Sequence, residues 1–272
     1  MIVGMTSLIL IVALYAFAQI ILVQGYVSLE QDTVARNVQR AINATQDEVT
    51  FLRSTNIDYA HWDDTYAYIQ GLDDSYIDTN ILDSVFSNYH LNFVLFVNKA
   101  GEIVYSQGFD LSTLEREPIS PSLTTFVAHN EALLHPTSSE SGSSDTLSGV
   151  VALPDGGILL AASSILPSNH QGTAQGALIW GRYMDDQLIT ELSDHTQLTL
   201  DLSSATVDGE ANNFAKILPA VLNQSIAVQA LDSENVAGYT LLKDIHDQPA
   251  LILKVEMPRS IYQQGINSLS YF

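Results

Sequence analysis

The chain has 272 residues, with 10 Lys and Arg against 31 Asp and Glu, so its formal net charge is −21. This charge excludes a nucleic-acid-binding protein that works by neutralising phosphates. The absence of Cys excludes disulfide bonds, thiolate catalysis and sulfur-ligated zinc. Apolar residues make up 46% of the chain, which is enough to build a core.

The N-terminal segment is apolar, and no charged residue precedes Glu30. Val3 to Val23 has about the 20 residues that a helix needs to cross a bilayer, so residues 1–24 are predicted to form a transmembrane helix. A cleaved signal peptide is the alternative, because Ala16 and Ala18 form a small-x-small cleavage pattern. We therefore expect a plasma-membrane or inner-membrane protein whose Asp-rich remainder lies outside the cytoplasm.

Residues 25–57 are predicted to form a stalk helix. Apolar residues recur there at steps of three and four, among them Val38, Ile42, Val49 and Leu52. This stripe suits packing either on the chain's own domain or on a second copy of the helix. We expect a homodimer, and we consider Ile42, Val49 and Leu52 candidates for carrying a signal along the stalk.

Residues 58–183 are predicted to form a lobe built on a five-stranded, mostly antiparallel sheet. Two helices, at 58–70 and 75–89, precede a strand pair at 91–97 and 102–108. A helix at 122–134 and a mobile Ser-rich loop at 136–148 follow. A hairpin at 149–165 and a strand at 174–181 complete the sheet. This order of elements is found in PAS-like and Cache-like sensor domains.

Residues 184–256 alternate helices and strands and are predicted to form a second, smaller lobe. Its strands could build a separate sheet or extend the first one. Residues 257–272 are predicted to be an exit helix that begins at Pro258. The fold class is thus α+β.

One segment, Asp58 to Ile69, combines aromatic and acidic residues. On one helix, Tyr59, Trp62 and Tyr66 would share a face, either as core or as the wall of a ligand pocket with Asp63 beside it. Arg182 follows a predicted strand and should pair with a carboxylate such as Asp63 or Asp64, or bind an anion. These residues form the candidate site for an unidentified small molecule.

The sequence contains no recognised catalytic motif, and its seven His are scattered. We predict no catalytic residue, no metal site and no cofactor.

Several motifs together resemble the fourth class of CHASE domains over most of residues 26–265. They are DYAHWDDTY at 58–66, VNKAGEIV at 97–104, GALIWGR at 176–182 and MPRSIYQQG at 257–265. The resemblance implies an extracellular sensor of a prokaryotic receptor, related to Cache and PAS-like domains. It further implies a second membrane helix and a cytoplasmic output module, such as a histidine kinase or a diguanylate cyclase, beyond this sequence.

We therefore expect the ligand-sensing ectodomain of a signal-transduction receptor. The alternatives are a membrane-tethered binding module without signalling and an envelope hydrolase that uses paired carboxylates. If the chain is a sensor, the stalk and the exit helix must lie close together on the membrane side. Pro258 and Arg259 are then candidates for signal coupling, with Arg259 paired to an acidic residue of the stalk base or of the second lobe.

Overall fold

The first helix, α1, spans Ile2–Ala60 without interruption and is 59 residues long. The computed structural model describes residues 2–136, 146–205 and 214–269. Residues 3–23 are helical as part of α1. Within the described residues no helix combines the length and apolar character needed to span a bilayer.

The predicted stalk stripe is buried against the chain's own domain. Val34 and Val38 are fully buried, and Val49 and Leu52 are 4% and 1% exposed. Ile42 is partly buried and packs against the same core. The stripe is therefore not free to contact a second copy, and a homodimer, which stays a prediction, would need another surface.

Three short helices follow α1: α2 (Asp63–Ile69), α3 (Tyr76–Asn80) and α4 (Asp83–Tyr89). The prediction of one helix at 58–70 and another at 75–89 was wrong, because each of these segments is broken. Trp62 and Leu82 have extended backbones, and the acidic residues that follow them start new helices. The apolar period continues across both breaks, which is why periodicity did not show them.

The larger sheet has six antiparallel strands in the order β3-β2-β1-β6-β5-β4. They are β1 (Phe93–Asn98), β2 (Ile103–Asp110), β3 (Glu115–Glu117), β4 (Thr146–Leu153), β5 (Gly156–Ser164) and β6 (Gly176–Tyr183). The prediction of five strands missed β3, a short, exposed and charged edge strand. The mobile loop was predicted at 136–148, but β4 already begins at Thr146, and residues 137–145 lie outside the described ranges.

Both faces of the larger sheet are covered. One packs against α1 and the short helices through residues such as Phe96 and Trp180. The other packs under α5 (Pro121–Ala128) and α6 (Glu131–Leu134) through residues such as Phe93 and Leu123. The single helix predicted at 122–134 is divided into these two, and α5 begins with Ser120 as its N-cap and Pro121 at the first helical position.

The second lobe has its own four-stranded sheet, in the order β7-β10-β9-β8. Its elements are α7 (Asp186–Thr196), β7 (Thr199–Ser204), α8 (Phe214–Asn223), β8 (Ala227–Ala230), β9 (Asn235–Lys243) and β10 (Pro249–Pro258). The lobes thus do not share one sheet. Gly238 of β9 lies so close to α1 that a Cβ there would be 2.5 Å from Val38 and 2.6 Å from Val34. The α1 helix therefore packs along both sheets.

The last helix, α9 (Ser260–Leu269), starts later than predicted, because Pro258 is the final residue of β10. It packs back on α1 near the start of the domain. A Cβ on Gly265 would lie 2.5 Å from the Tyr26 ring. Only glycine therefore allows the two helices to approach this closely.

Candidate functional site

The aromatic residues predicted on one helix face lie instead around the break between α1 and α2. Tyr59 is 7% exposed and stacks on Trp62 with ring centroids 4.1 Å apart. It also contacts Trp180 at 5.3 Å and Tyr89 at 5.7 Å. Burial, followed by the neighbouring Tyr89 hydroxyl, raises the pKa of Tyr59. Tyr59 is thus a core residue, whereas Trp62 is half-buried at the edge of this aromatic group.

Asp63 and Tyr66 meet the loop between β5 and β6. Asp63 accepts hydrogen bonds from the backbone nitrogen of Ser168 at 2.9 Å and from its hydroxyl at 2.8 Å. The backbone hydrogen bond and then the hydroxyl hold the pKa of Asp63 below its usual range. A Cβ on Gly172 of the same loop would lie 4.0 Å from the Tyr66 hydroxyl. Asp63 therefore anchors this loop, and its role in ligand binding stays a prediction.

Arg182 is almost completely buried, with 2% of its side chain exposed. Its Nη2 pairs with Glu191 of α7 at 2.5 Å, and its Nη1 lies 3.6 Å from a Glu48 carboxylate oxygen on α1. Burial alone would raise the pKa of Glu191, but the hydrogen bond from Arg182 lowers it.

Pairing of Arg182 with a carboxylate was predicted correctly, but Asp63 and Asp64 were the wrong partners. Arg182 lies two positions after Trp180 on β6, so both side chains point to the same face of the sheet. Because the Trp180 indole donates to the Leu52 carbonyl of α1, this face is directed towards α1. Asp63 lies elsewhere, beside the β5–β6 loop, and Asp64 follows it on α2.

Arg259 pairs with Glu30 of α1, an acidic residue at the stalk base, as predicted. Its Nε and Nη2 donate to one Glu30 oxygen at 3.1 and 2.9 Å, and its Nη1 donates to the Asp232 carbonyl at 3.2 Å. The guanidinium also lies 4.0 Å from the centre of the Tyr262 ring. Only 12% of the Arg259 side chain and 5% of the Glu30 side chain are exposed, so the pair is nearly buried.

Sequence reasoning missed a cleft between the two sheets, here called the intersheet cleft. It has a volume of about 730 Å³, and a smaller cavity of about 420 Å³ adjoins it. The walls come from the β4–β5 turn, the start of α7, the edge strand β7 and one residue of β10. The lining residues are Ala152, Leu153, Pro154, Gly156, Gly157, Met184, Asp186, Ile189, Asp201, Leu202, Ser203, Ser204 and Leu251. No local pattern marks them, because they come from four separate segments.

The floor of the intersheet cleft is a close contact between the two sheets. A Cβ on Gly157 of β5 would lie 2.6 Å from Leu251 of β10 and 3.3 Å from Met184. A larger residue at position 157 would therefore have to displace the Leu251 side chain. Across the described ranges, no group of three or more His, Asp or Glu side chains is placed to hold a metal ion.

The CHASE4 domain matches residues 44–203, which is more than half of the chain. The chain belongs to the CHASE4 domain family. The match takes in the larger sheet, α7 and nearly all of β7, so one wall of the intersheet cleft lies at the end of the CHASE4 match. The β9 and β10 strands and α9 follow it.

The CHASE4 chain is 25% identical over 241 residues to the methanogenesis regulatory histidine kinase FilI of Methanothrix harundinacea. This alignment covers 89% of the chain but only 26% of FilI.

Two solved structures share the fold. The extracellular domain of vpHK1S-Z8, described as a histidine kinase, gives a TM-score of 0.57 at 13% identity, covering 91% of this chain and 98% of that one. The periplasmic domain of Vibrio cholerae LuxQ gives 0.50 at 13% identity, covering 83% and 99%. Together with the CHASE4 match, these relatives support an extracellular ligand-sensing domain of a signalling receptor.

Proposed function

We propose that this CHASE4 chain is the ligand-sensing ectodomain of a membrane-bound receptor with a histidine kinase or a similar signalling module as its output. The observation that carries the proposal is the packing of α9 on α1 at one end of the domain. Gly265 meets Tyr26 there, and Arg259 meets Glu30. A conformational change in the sheets can therefore act on both terminal helices at one point. A coupling free energy of about 1 to 3 kcal/mol between ligand binding and the position of these helices would change the output 5- to 150-fold.

A conservative variant tests this coupling. Arg259→Lys keeps the charge but loses the two-pronged geometry that the guanidinium offers to Glu30. In a fusion of the chain to a reporter histidine kinase through a second membrane helix, we expect Arg259→Lys to change basal autophosphorylation. The matched control is Arg36→Lys, at an exposed position of α1. Wild-type output from Arg259→Lys would favour a tethered binding module without signalling.

The hydrolase alternative receives no support from the carboxyl groups. Such an enzyme needs a carboxylic acid whose pKa is raised so that it can donate a proton. In the described ranges, each carboxyl group whose pKa leaves its usual range is shifted downward, namely Asp63, Asp110, Asp155, Glu191 and Asp232. The proposed sensor role requires no catalysis within this chain.

A further inference from the structure

Consecutive residues of β7 border the intersheet cleft. Asp201, Leu202, Ser203 and Ser204 all line it, although side chains on a strand alternate between the two faces of a sheet. Four residues in a row can line one cleft only if the edge of the strand, with its main-chain groups, forms part of the wall. Since β7 is the outermost described strand of its sheet, this edge faces away from β10.

The pairing of β7 with β10 determines which main-chain groups point outward. The Ala205 nitrogen donates to the Ala250 carbonyl at 3.0 Å, so Ala205 and every second residue before it direct their main-chain groups towards β10. Leu202 is one of the residues between them, and both its N–H and its C=O point away from β10. Leu202 is therefore placed to exchange two hydrogen bonds with a residue that lies opposite it in the cleft.

The side chain of Leu202 identifies the apolar face of this edge. It packs against the core that includes Met184 and Leu251, which form the floor of the cleft. The side chains of Asp201 and Ser203 point to the opposite face of the sheet. Directly opposed residues of two paired strands share a face, so a residue paired with Leu202 would direct its side chain towards the floor. An apolar side chain suits that position.

The size and charge of the cleft restrict its ligand further. Its volume of about 730 Å³ lies within the range of about 300 to 1,000 Å³ of small-ligand sites, so it suits a short segment rather than a folded partner. Asp186 is exposed at the cleft, and the chain carries a net charge of −21. An acidic ligand is therefore repelled.

From these features we infer that the intersheet cleft binds a short, extended, non-acidic peptide that pairs antiparallel with β7. Its central residue exchanges two hydrogen bonds with Leu202 and places an apolar side chain on Met184 and Leu251. In strand addition of this kind, main-chain bonds supply affinity and side-chain positions supply specificity. Because β7 pairs with β10, and β10 leads through Arg259 into α9, binding would act on the helix junction. This last step rests on the proposed sensor function, whereas the binding itself does not.

Three blocked peptides test the inference on the full chain. Acetyl-Thr-Leu-Thr-amide is uncharged and favours an extended backbone, and in isothermal titration calorimetry we expect it to bind with a Kd of about 1 mM or tighter. Its N-methylleucine analogue keeps the apolar side chain but lacks the central N–H, so it should bind about tenfold more weakly. Acetyl-Thr-Asp-Thr-amide should give no binding signal. If either analogue binds as tightly as the parent peptide, or if the parent does not bind up to about 10 mM, the inference is overturned.

Amide hydrogen exchange locates the peptide without any substitution. An added strand protects the Leu202 amide, so the parent peptide at about ten times its Kd should slow the exchange of this amide about tenfold, as measured by NMR. The Asp201 and Ser203 amides already point towards β10 and should change less. The amides of β8, the strand at the opposite edge of the same sheet, are the internal control. Unchanged exchange at Leu202 would place the peptide elsewhere and overturn the inference.

Two proline substitutions form a matched pair. Proline lacks the N–H and is tolerated on edge strands where that group faces outward. Leu202→Pro removes the outward N–H of β7 in the cleft. Val228→Pro removes an outward N–H of β8, because the hydrogen bond from the Leu231 nitrogen to the Asn235 carbonyl sets the same alternation there.

We expect Leu202→Pro to weaken binding of the parent peptide about tenfold or more and Val228→Pro to bind like the wild type. Wild-type affinity in Leu202→Pro, or the same loss in Val228→Pro, would contradict strand addition at β7. If circular dichroism shows that Leu202→Pro is unfolded, the exchange of the Leu202 amide in the wild type decides.

The parent peptide also separates the two proposals. If it binds and protects the Leu202 amide, the site stands whatever the reporter kinase does. If it also changes autophosphorylation in the wild-type fusion but not in the Leu202→Pro fusion, the cleft is the sensing site. If Arg259→Lys alters output but no peptide binds, the sensor function stands and the inferred ligand class fails.

Discussion

Arg259 and Glu30 form a nearly buried ion pair across 229 positions of sequence, and this pair joins the end of β10 to the first helix. Further contacts hold the Arg259 guanidinium in place, since it also donates to the Asp232 carbonyl and lies over the Tyr262 ring. Removal of one member of such a pair leaves the other charge buried without compensation.

Arg259→Ala should therefore lower the free energy of unfolding by about 3 to 5 kcal/mol, as measured by urea denaturation. Arg36→Ala, at an exposed position of α1, the helix that carries Glu30, should change the free energy of unfolding by less than about 0.5 kcal/mol. Replacement of both partners, as in Glu30→Leu with Arg259→Met, should recover most of the loss. Equal losses from Arg259→Ala and Arg36→Ala would mean that the pair contributes little.

Two glycines in helices form a matched test of the α1–α9 contact. An alanine at Gly25 meets nothing within 4 Å, whereas one at Gly265 would meet the Tyr26 ring at 2.5 Å. Both changes gain helix propensity of about 1 kcal/mol, but only Gly265→Ala forces the helices apart. We expect Gly25→Ala to raise the melting temperature and Gly265→Ala to lower it. A rise in both variants would show that α9 can shift at no cost.

The two tryptophans should differ in their contribution to stability. Trp180 is fully buried and donates to the Leu52 carbonyl, so Trp180→Ala should cost about 3 to 5 kcal/mol. Trp62 is half-buried and stacks on Tyr59, so Trp62→Ala should cost about 1 to 2 kcal/mol. Each variant leaves one tryptophan whose fluorescence reports unfolding. The reverse order of losses would contradict the burial seen here.

The hydrogen bonds from Ser168 to Asp63 make the free energy of unfolding depend on pH in the acidic range. Because the pKa of Asp63 is lowered in the folded state, its contribution to stability is present above its usual pKa of 3.8 and is lost as the pH falls below that value. Ser168→Ala should remove only part of the shift, since the backbone hydrogen bond remains. A carboxyl-carbon NMR titration should show the Asp63 pKa rising towards 3.8 in this variant. An unchanged pKa would show that the hydroxyl contributes nothing.

Local patterns predicted the parts of the fold that local residues determine. The hairpin around residues 98–101 was correct because Asn98 and Gly101 are turn residues between two apolar strands. Burial of the α1 stripe was one of two interpretations, and its contacts with Trp180 and Gly238, on two different sheets, decide between them. The β3 strand was missed because its three residues are all exposed and charged.

The candidate site was harder to predict, because its geometry depends on distant segments. The aromatic and acidic segment at residues 58–69 was visible in the sequence, but the break at Trp62 separates its members. The carboxylates that pair with Arg182 come from α1 and α7, and no spacing in the sequence relates them. The intersheet cleft likewise exists only after two separate sheets meet at Gly157.

The packing of α1 along both sheets also has a consequence for how the chain folds. Val34 and Val38 find their partner at Gly238, on a strand that the ribosome makes long after the helix. Until then these two residues lack that partner, and closing so long a loop is slow. We therefore expect the newly made chain to need protection from aggregation until β9 and β10 are complete.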